Sequence, residues 1–344
     1  MISEVERRMM GDPLRNRWFS IVTLFVFLTG CQYGREYRFL EGYTQGTTYH
    51  ITYYDPHGRN LTSQVDSILE TFEQSLSIYR PQSLISRINN NDSSAIADYL
   101  FTEVFNKAME VSQATDGAFD ITVGPLVNAW GFGKDTVPRI DSSRIDSLLQ
   151  IVGFKKVRLT NGRIVKDDPR IFIDVNAIAQ GYTCDIVARY FEKLGIKNYM
   201  VEIGGEVRAH GKNPDGRTWR IGIDKPITGN YVPGYELQAI VPLRNAALAT
   251  SGNYRKFHVI NGVRYAHEID PSTGYPVMSN LLSVSIIAAD GITADAYATA
   301  CMVMGLDRSI QFLEKRKDLL GYLIYSDSAG NFRIWHSARF PLEE

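Results

Sequence analysis

The spacing of apolar positions along the chain assigns most of its elements. "TTYHITYYD" (47–55) is β-branched and aromatic and reads as a strand. Between 62 and 77, Val65, Ile68, Leu69, Phe72 and Leu76 recur at helical spacing. A second helix is expected over 101–117, stopping at Gly117, and a short one over 140–152. "KKVRLTNGRIVK" (155–166) has Asn-Gly at its centre and predicts a hairpin. Residues 170–196 read as a strand, a sharp turn and a long helix, and 198–212 as a strand pair around Gly204 and Gly205. Further strands are expected near 218–224, 236–243, 255–260, 263–267 and 281–289, with a closing hairpin from 320 to 336. Mixed strands and helices with several hairpins predict an α+β fold with largely antiparallel sheets and packed helices.

One segment breaks the pattern. "ITADAYATACMVMG" (292–305) reads as a helix with a glycine stop, apolar on every face except for Asp295 and Thr299. Residues four apart share a helix face, so these two point the same way. A helix apolar all round is usually buried, and a buried carboxylate requires a partner. That partner is a cation, a basic side chain or a helix N-terminus. The plain alternative is that Asp295 caps its own helix.

The first residues follow a different rule. Arg15 and Arg17 precede an uncharged run from Trp18 to Gly30, the arrangement of a signal peptide. It ends in "LTGC", which resembles the lipobox of bacterial lipoproteins and implies lipidation at Cys31. The expected organisation is a leader over 1–30, a tether over 31–42 and a folded domain over 43–344. Cys184 and Cys301 lie in apolar helical contexts and read as small buried hydrophobes. Composition adds only exclusions. The net charge of −1 lacks the basic excess of nucleic-acid binders. No GxGxxG, Walker A or zinc-spaced His/Cys cluster is present.

Four other stretches carry chemistry. Asp174 ends "RIFID" before a turn containing Asn176, aimed into a cleft or capping the helix that follows. His267 precedes the turn "IDPSTG", a position for a general base, with Asp270 as a nearby carboxylate able to orient it. Thr250 and Ser251, in "ALATSGNYR", are suited to holding an anion or to forming a turn. "GAFDITVGPLVNAWGFG" (117–133), with Phe119, Trp130 and Phe132, suits either a flat ring system or a core hairpin.

Taken in series, these motifs resemble the FAD:protein FMN transferases, the ApbE-type family. "QGTTYHI", "SIYRPQSLISRIN", "DGAFDITVGPLVNAWGFG", "DVNAIAQGYTCD", "VEIGGEVRAHG", "ATSGNYR", "HEIDPSTGYP" and "ADAYATACMVMG" follow in family order over about residues 43–310. The resemblance implies an α+β fold like a duplicated T-fold. It also implies a Mg²⁺-dependent reaction that cleaves FAD, releases AMP and attaches FMN to a Thr, sometimes a Ser, of a target protein. The implied targets are exported flavoproteins and subunits of membrane redox pumps. The implied location is the periplasmic side of the inner membrane, through a lipid anchor on Cys31.

Carried over residue by residue, the metal ligands are Asp295, Thr299 and the backbone carbonyl of Ala177. The FAD contacts are Gln45, Tyr79, the group Ala118, Phe119 and Asp120, then Asp174, Gln180 and Ile269. His267 is the candidate general base. Three positions depart from the family pattern: Gln45 is often Met, Gln180 is often Lys or Glu, and some members have a further Asp where this chain has Ala298. Rival readings are an FAD pyrophosphatase giving FMN and AMP, and a non-catalytic FAD-binding lipoprotein.

Overall fold

In the computed structural model, which describes residues 36–133, 141–227, 229, 230, 232, 234–254, 256–260 and 262–343, the folded chain opens with a hairpin. Its strands are β1 (Arg38–Thr44) and β2 (Thr47–Tyr54), turned by Gln45 and Gly46, both at positive φ. Helices α1 (Thr62–Leu76), α2 (Leu84–Asn89), α3 (Tyr99–Ala114), α4 (Gly124–Ala129) and α5 (Ser142–Leu149) follow. The small hairpin β3 (Val157–Thr160) and β4 (Arg163–Lys166) turns at Asn161-Gly162 and leads to the long helix α6 (Asn176–Lys193). Next come β5 (Asn198–Ile203), β6 (Glu206–His210), β7 (Trp219–Asp224), β8 (Leu237–Leu243) and β9 (Ala246–Gly252). Then follow β10 (Phe257–Ile260), β11 (Val263–Ala266) and β12 (Leu281–Ala288). The chain closes with α7 (Gly291–Met304), α8 (Leu306–Glu314), β13 (Leu320–Ser326) and β14 (Phe332–His336).

Eight strands form one sheet in the order β1-β2-β5-β6-β9-β12-β13-β14, and every neighbouring pair is antiparallel. The strand period of two divides the core. Tyr49, Ile51 and Tyr53 of β2 and Tyr199, Val201 and Ile203 of β5 pack on α1 and α6. Ala247 and Ala249 of β9 and Val284 and Ile286 of β12 pack beneath α7. Val207, Leu248, Ile287 and Ile324 face the other way, against the β7–β8 hairpin. The sheet is therefore covered by helices on one face and by a hairpin on the other. This is the expected antiparallel α+β arrangement.

Helix α7 is buried along its length, as its sequence requires. Its N-terminus is fastened twice. Asp290 caps it by accepting from the Thr293 amide (3.1 Å). From α6, Asp185 accepts the Gly291 and Ile292 amides at 2.8 and 2.9 Å. Gly305 ends the helix at φ 75°. The two helices touch at glycines. A Cβ built on Gly181 would lie 2.2 Å from the Gly291 carbonyl oxygen and 2.7 Å from the Asp295 Cβ. Contacts progress in opposite directions along the pair: Asp185 to Gly291, then Gly181 to Gly291 and Asp295. The helices are thus antiparallel, and the next turn carries Ala177 toward Thr299.

Four expectations need correction. The tether was placed over 31–42, yet β1 begins at Arg38 and pairs with β2 in full register. It is an edge strand with Phe39 and Tyr43 exposed, so it carries no clean alternation to read. "RIFID" is extended but forms no ladder. The Asn89 side chain takes a neighbouring strand's place, accepting from Ile173 N (2.8 Å) and donating to Ile173 O (2.9 Å). The helix placed over 101–117 is α3, which starts earlier because Asp98 caps it and stops at Ala114 before positive φ at Asp116 and Gly117. Residues 117–133 form turns around α4 and not a hairpin. Cys184 and Cys301 are free and buried, as expected. The leader and Cys31 lie outside the described residues.

Replacing a helical glycine by alanine ordinarily stabilises a helix by about 1 kcal/mol. At Gly181 the new methyl meets backbone that cannot rotate away, and overpacking costs about 1–3 kcal/mol or more. Gly181→Ala is therefore expected to lower the denaturant midpoint. A raised midpoint would show that α6 and α7 are not locked at this contact.

Candidate active site

The opening problem was the partner of Asp295. It is not its own helix start, which Asp290 caps. Asp295 Oδ2 instead accepts the Gly181 amide of α6 at 2.9 Å. In a regular helix that amide points to the Ala177 carbonyl one turn back, so Asp295 meets α6 at the turn that carries the oxygen expected to be a ligand. Thr299, one turn further along α7, lies 3.3 Å from the Ser251 hydroxyl of β9. Carboxylate, hydroxyl and carbonyl oxygens thus gather between α6, α7 and β9.

The electrostatics of this cluster are strained. Burial pushes the Asp295 carboxyl well above the usual carboxylate range; the Gly181 amide pulls it back and the neighbouring Asp185 pushes it further. Burial likewise raises Asp185 to about 6, despite its two backbone donors. No basic side chain pairs with Asp295 among the described residues, and no group of three or more His, Cys, Asp or Glu forms there. The site therefore offers one carboxylate and neutral oxygens and lacks a positive charge. That donor set fits a hard cation such as Mg²⁺, which keeps waters and substrate oxygens in its remaining positions.

The remaining residues converge on the first turns of α6. Asp174 accepts from the Asn176 amide (2.9 Å), the first of α6, while Val175 holds the N-cap position with no side-chain cap bond. Tyr79 is largely exposed beside it. Burial, then the charge of Asp174, push its phenol up, while a hydrogen bond with Asn176 pulls it back. The Gln180 side chain lies over Gly204 in the β5–β6 turn, where a Cβ would come within 2.5 Å of it. Gln45, in the β1–β2 turn, donates from Nε2 to Thr183 of α6 (2.6 Å) and from its backbone to Glu73 (2.9 Å). A cavity of about 500 Å³ opens there, lined by Gln45, Asp66, Glu70, Glu73 and Arg80 among others. Its carboxylates suit hydroxyl or amino donors of a ligand and repel phosphates.

Other expected contacts point inward. Ala118, Phe119 and Ile269 are buried, the last two within apolar clusters. Asp120 accepts from the Thr122 amide and hydroxyl (both 2.7 Å) and from the Phe154 amide (2.7 Å), so its carboxylate is spent on shaping the loop. Thr250 bonds Ser285 (2.8 Å) on the sheet face opposite Ser251, so only Ser251 reaches Thr299.

His267 follows β11 and is held from below. Trp130 donates to the Gly274 carbonyl (2.8 Å) and packs against Tyr265 and Tyr275, while Phe132 meets the His267 ring edge-on at 6.3 Å. Ile269 enters the same cluster as Leu126 and Trp130. Asp270 does not orient the imidazole; its Oδ1 accepts from the Ser272 amide (2.8 Å) and hydroxyl (2.6 Å) and shapes the turn.

A model of the ApbE family matches residues 45–324, most of the chain. The chain belongs to the ApbE family. It is 37% identical over 336 residues to the FAD:protein FMN transferase of Vibrio cholerae, covering 95% of this chain and 98% of that one. It is 37% identical to the corresponding protein of Haemophilus influenzae, covering 90% and 92%. Among solved structures it is similar to the flavin transferase ApbE of Vibrio cholerae (TM-score 0.80, 36% identity, 89% of this chain and 98% of that one).

In this ApbE-family chain, the sequence motifs single out Asp295, Thr299 and Ala177 as candidate ligands and miss what holds the two helices together. Gly181 and Gly291, which set the helix approach, and Asp185, which anchors α7, received no role. A signal existed for Asp185: it is an acidic residue on an otherwise apolar stretch of α6, the same anomaly that exposed Asp295.

The raised carboxyl of Asp295 has a sign. Its folded form holds the proton more tightly than the unfolded chain, so metal-free stability is greatest below the unfolded value and falls as pH rises through the folded one. Asp295→Asn keeps an acceptor for Gly181 without the charge. In metal-free buffer the variant is expected to be more stable than the parent near pH 8, by on the order of 1 kcal/mol. That advantage should vanish toward pH 4. Thermal melts over this range check it; a variant less stable at pH 8 would show that the carboxylate is already compensated.

Proposed function

We propose that this chain transfers the FMN half of FAD to a hydroxyl of a protein acceptor and releases AMP. The observation that carries the reading is the oxygen cluster of Asp295, Thr299 and Ser251 against the Gly181–Ala177 turn of α6, in a chain of the ApbE family. The names of its relatives support the same reaction.

Asp295, Thr299 and the Ala177 carbonyl would hold Mg²⁺. When bound, the ion supplies charge neutralisation for the pyrophosphate oxygens. Everything else is positioning by the chain. Tyr79, Gln45 and Gln180 line the approach to the start of α6. The aromatic cluster around Trp130 holds the His267 loop in place. His267 takes the proton of the acceptor hydroxyl, a Thr or Ser, as its oxygen attacks the FMN phosphorus and the bond to the bridging oxygen of AMP breaks. The acceptors are exported flavoproteins, including membrane redox-pump subunits. The leader delivers the chain across the inner membrane, and lipidation of Cys31 holds it on the periplasmic side. No helix among the described residues is long and apolar enough to cross a membrane.

The test mixes the protein with FAD, Mg²⁺ and an exported flavoprotein subunit, followed by a denaturing gel under ultraviolet light. A fluorescent acceptor band is expected, lost with a metal chelator or with Asp295→Ala. AMP without a fluorescent band would replace transfer by hydrolysis. His267→Ala is expected to retain FAD and slow transfer by on the order of 10²-fold or more. Unchanged transfer would remove His267 from the mechanism.

A further inference from the structure

The residue after His267 is an anomaly that the transfer reaction does not explain. Glu268 has a side chain only 4% exposed, and neither carboxylate oxygen has a hydrogen-bond partner among the described residues. Its backbone is fixed, since its own carbonyl accepts from the Val277 amide at 2.9 Å. Buried carboxylates are ordinarily paired, because desolvating an isolated charge is very unfavourable. One group faces it. His267 Nδ1 lies 3.4 Å from Glu268 Oε1, and Nδ1 is itself buried without a hydrogen bond. The two unsatisfied groups are complementary, and they meet.

The remainder of the ring is open. The His267 side chain keeps 36% exposure although Nδ1 has none, so the exposed edge is the one that carries Nε2. A buried acceptor at Nδ1 and an open Nε2 are what a histidine base requires: the proton is held on Nδ1 and the lone pair on Nε2 faces the substrate.

We propose that Glu268 is the positioning residue for His267, fixing its tautomer and supporting the imidazolium as it forms. The separation of 3.4 Å is long for an N–H···O bond, and catalytic hydrogen bonds commonly tighten only once substrate is bound. The acceptor O–H proton passes to Nε2 while the oxygen forms its bond to the FMN phosphorus. The phosphorus–oxygen bond to AMP breaks, and AMP leaves with the bridging oxygen. His267 then releases the proton to solvent. Glu268 gains and loses no atom; it holds the Nδ1 proton throughout. Asp270, the other carboxylate of the motif, is committed to the Ser272 turn and does not compete for this role.

The catalytic part rests on the transferase reading; the His–Glu pair does not, and the experiment separates them. Histidine ring resonances of the full folded domain are followed by heteronuclear NMR in the parent and in Glu268→Gln, with His267→Gln giving the assignment. In the parent, His267 is expected to carry its proton on Nδ1, and Glu268→Gln is expected to lose that single-tautomer signature. An identical tautomer in the two proteins would overturn the pair, whatever the protein's activity. Transfer from FAD is then timed with Mg²⁺ and an exported flavoprotein subunit. Glu268→Gln is expected to lower kcat roughly tenfold to a hundredfold at unchanged KM for FAD, and to move the acid limb of the pH profile downward. Glu268→Asp is expected to recover part of the loss. An altered tautomer with an unaltered rate would overturn the positioning role and leave the pair purely structural. Circular dichroism and melting of Glu268→Gln confirm the fold, which loss of a buried charge is expected to leave intact.

Discussion

The site depends on one close approach, that of Gly181 to Gly291. With no Cβ on either residue, α6 and α7 draw together until a backbone amide of one reaches a carboxylate of the other. Any side chain at either glycine would separate the helices. That would break the Gly181–Asp295 bond and displace Thr299 from the turn that begins α6. A contact with no functional group of its own therefore sets the geometry of the groups that have one.

The same approach concentrates negative charge. Asp185 and Asp295 are both buried near the α6–α7 seam; the charge of Asp185 raises the proton affinity of Asp295, and burial raises that of Asp185. Their roles differ. Asp185 takes two helix N-terminal amides, which anchors α7. Asp295 takes one amide and has no cationic side chain. Asp185 thus has a structural role, whereas the buried charge of Asp295 is left with a single amide among the described residues.

The second half of the site is mounted differently. His267 sits on a loop whose rigidity comes from packing below it: Trp130 on the Gly274 carbonyl, Ile269 in the cluster beneath, and Asp270 closing the turn. The glycine-rich, aromatic stretch 117–133 was open to two readings, a wall for a flat ring and a core hairpin. It forms turns around α4 and no hairpin. Its Trp130 and Phe132 support the loop that carries His267, which couples the stretch to that side chain through packing.

Much of the fold is legible in the chain because its signals are local. Strand alternation, helical spacing, the Asn161-Gly162 turn and the glycine stop at Gly305 each act within a few residues. The anomaly of a carboxylate in the apolar α7 segment is local as well, and Asp295 is visible from it. What the sequence could not decide is which groups satisfy one another across long separations. Asp295 meets an amide 114 residues away, and Ser251 meets Thr299 across 48. Those pairings follow from helix crossing and sheet register, which are properties of the packed whole. Edge strand β1 was unreadable because both of its faces are partly wet, and "RIFID" was misread because a single Asn side chain does the work of a strand. Residue types and local structure belonged to the sequence; the partners of the buried charges were settled only by the tertiary fold, because an interior without water leaves a charge nothing but its neighbours.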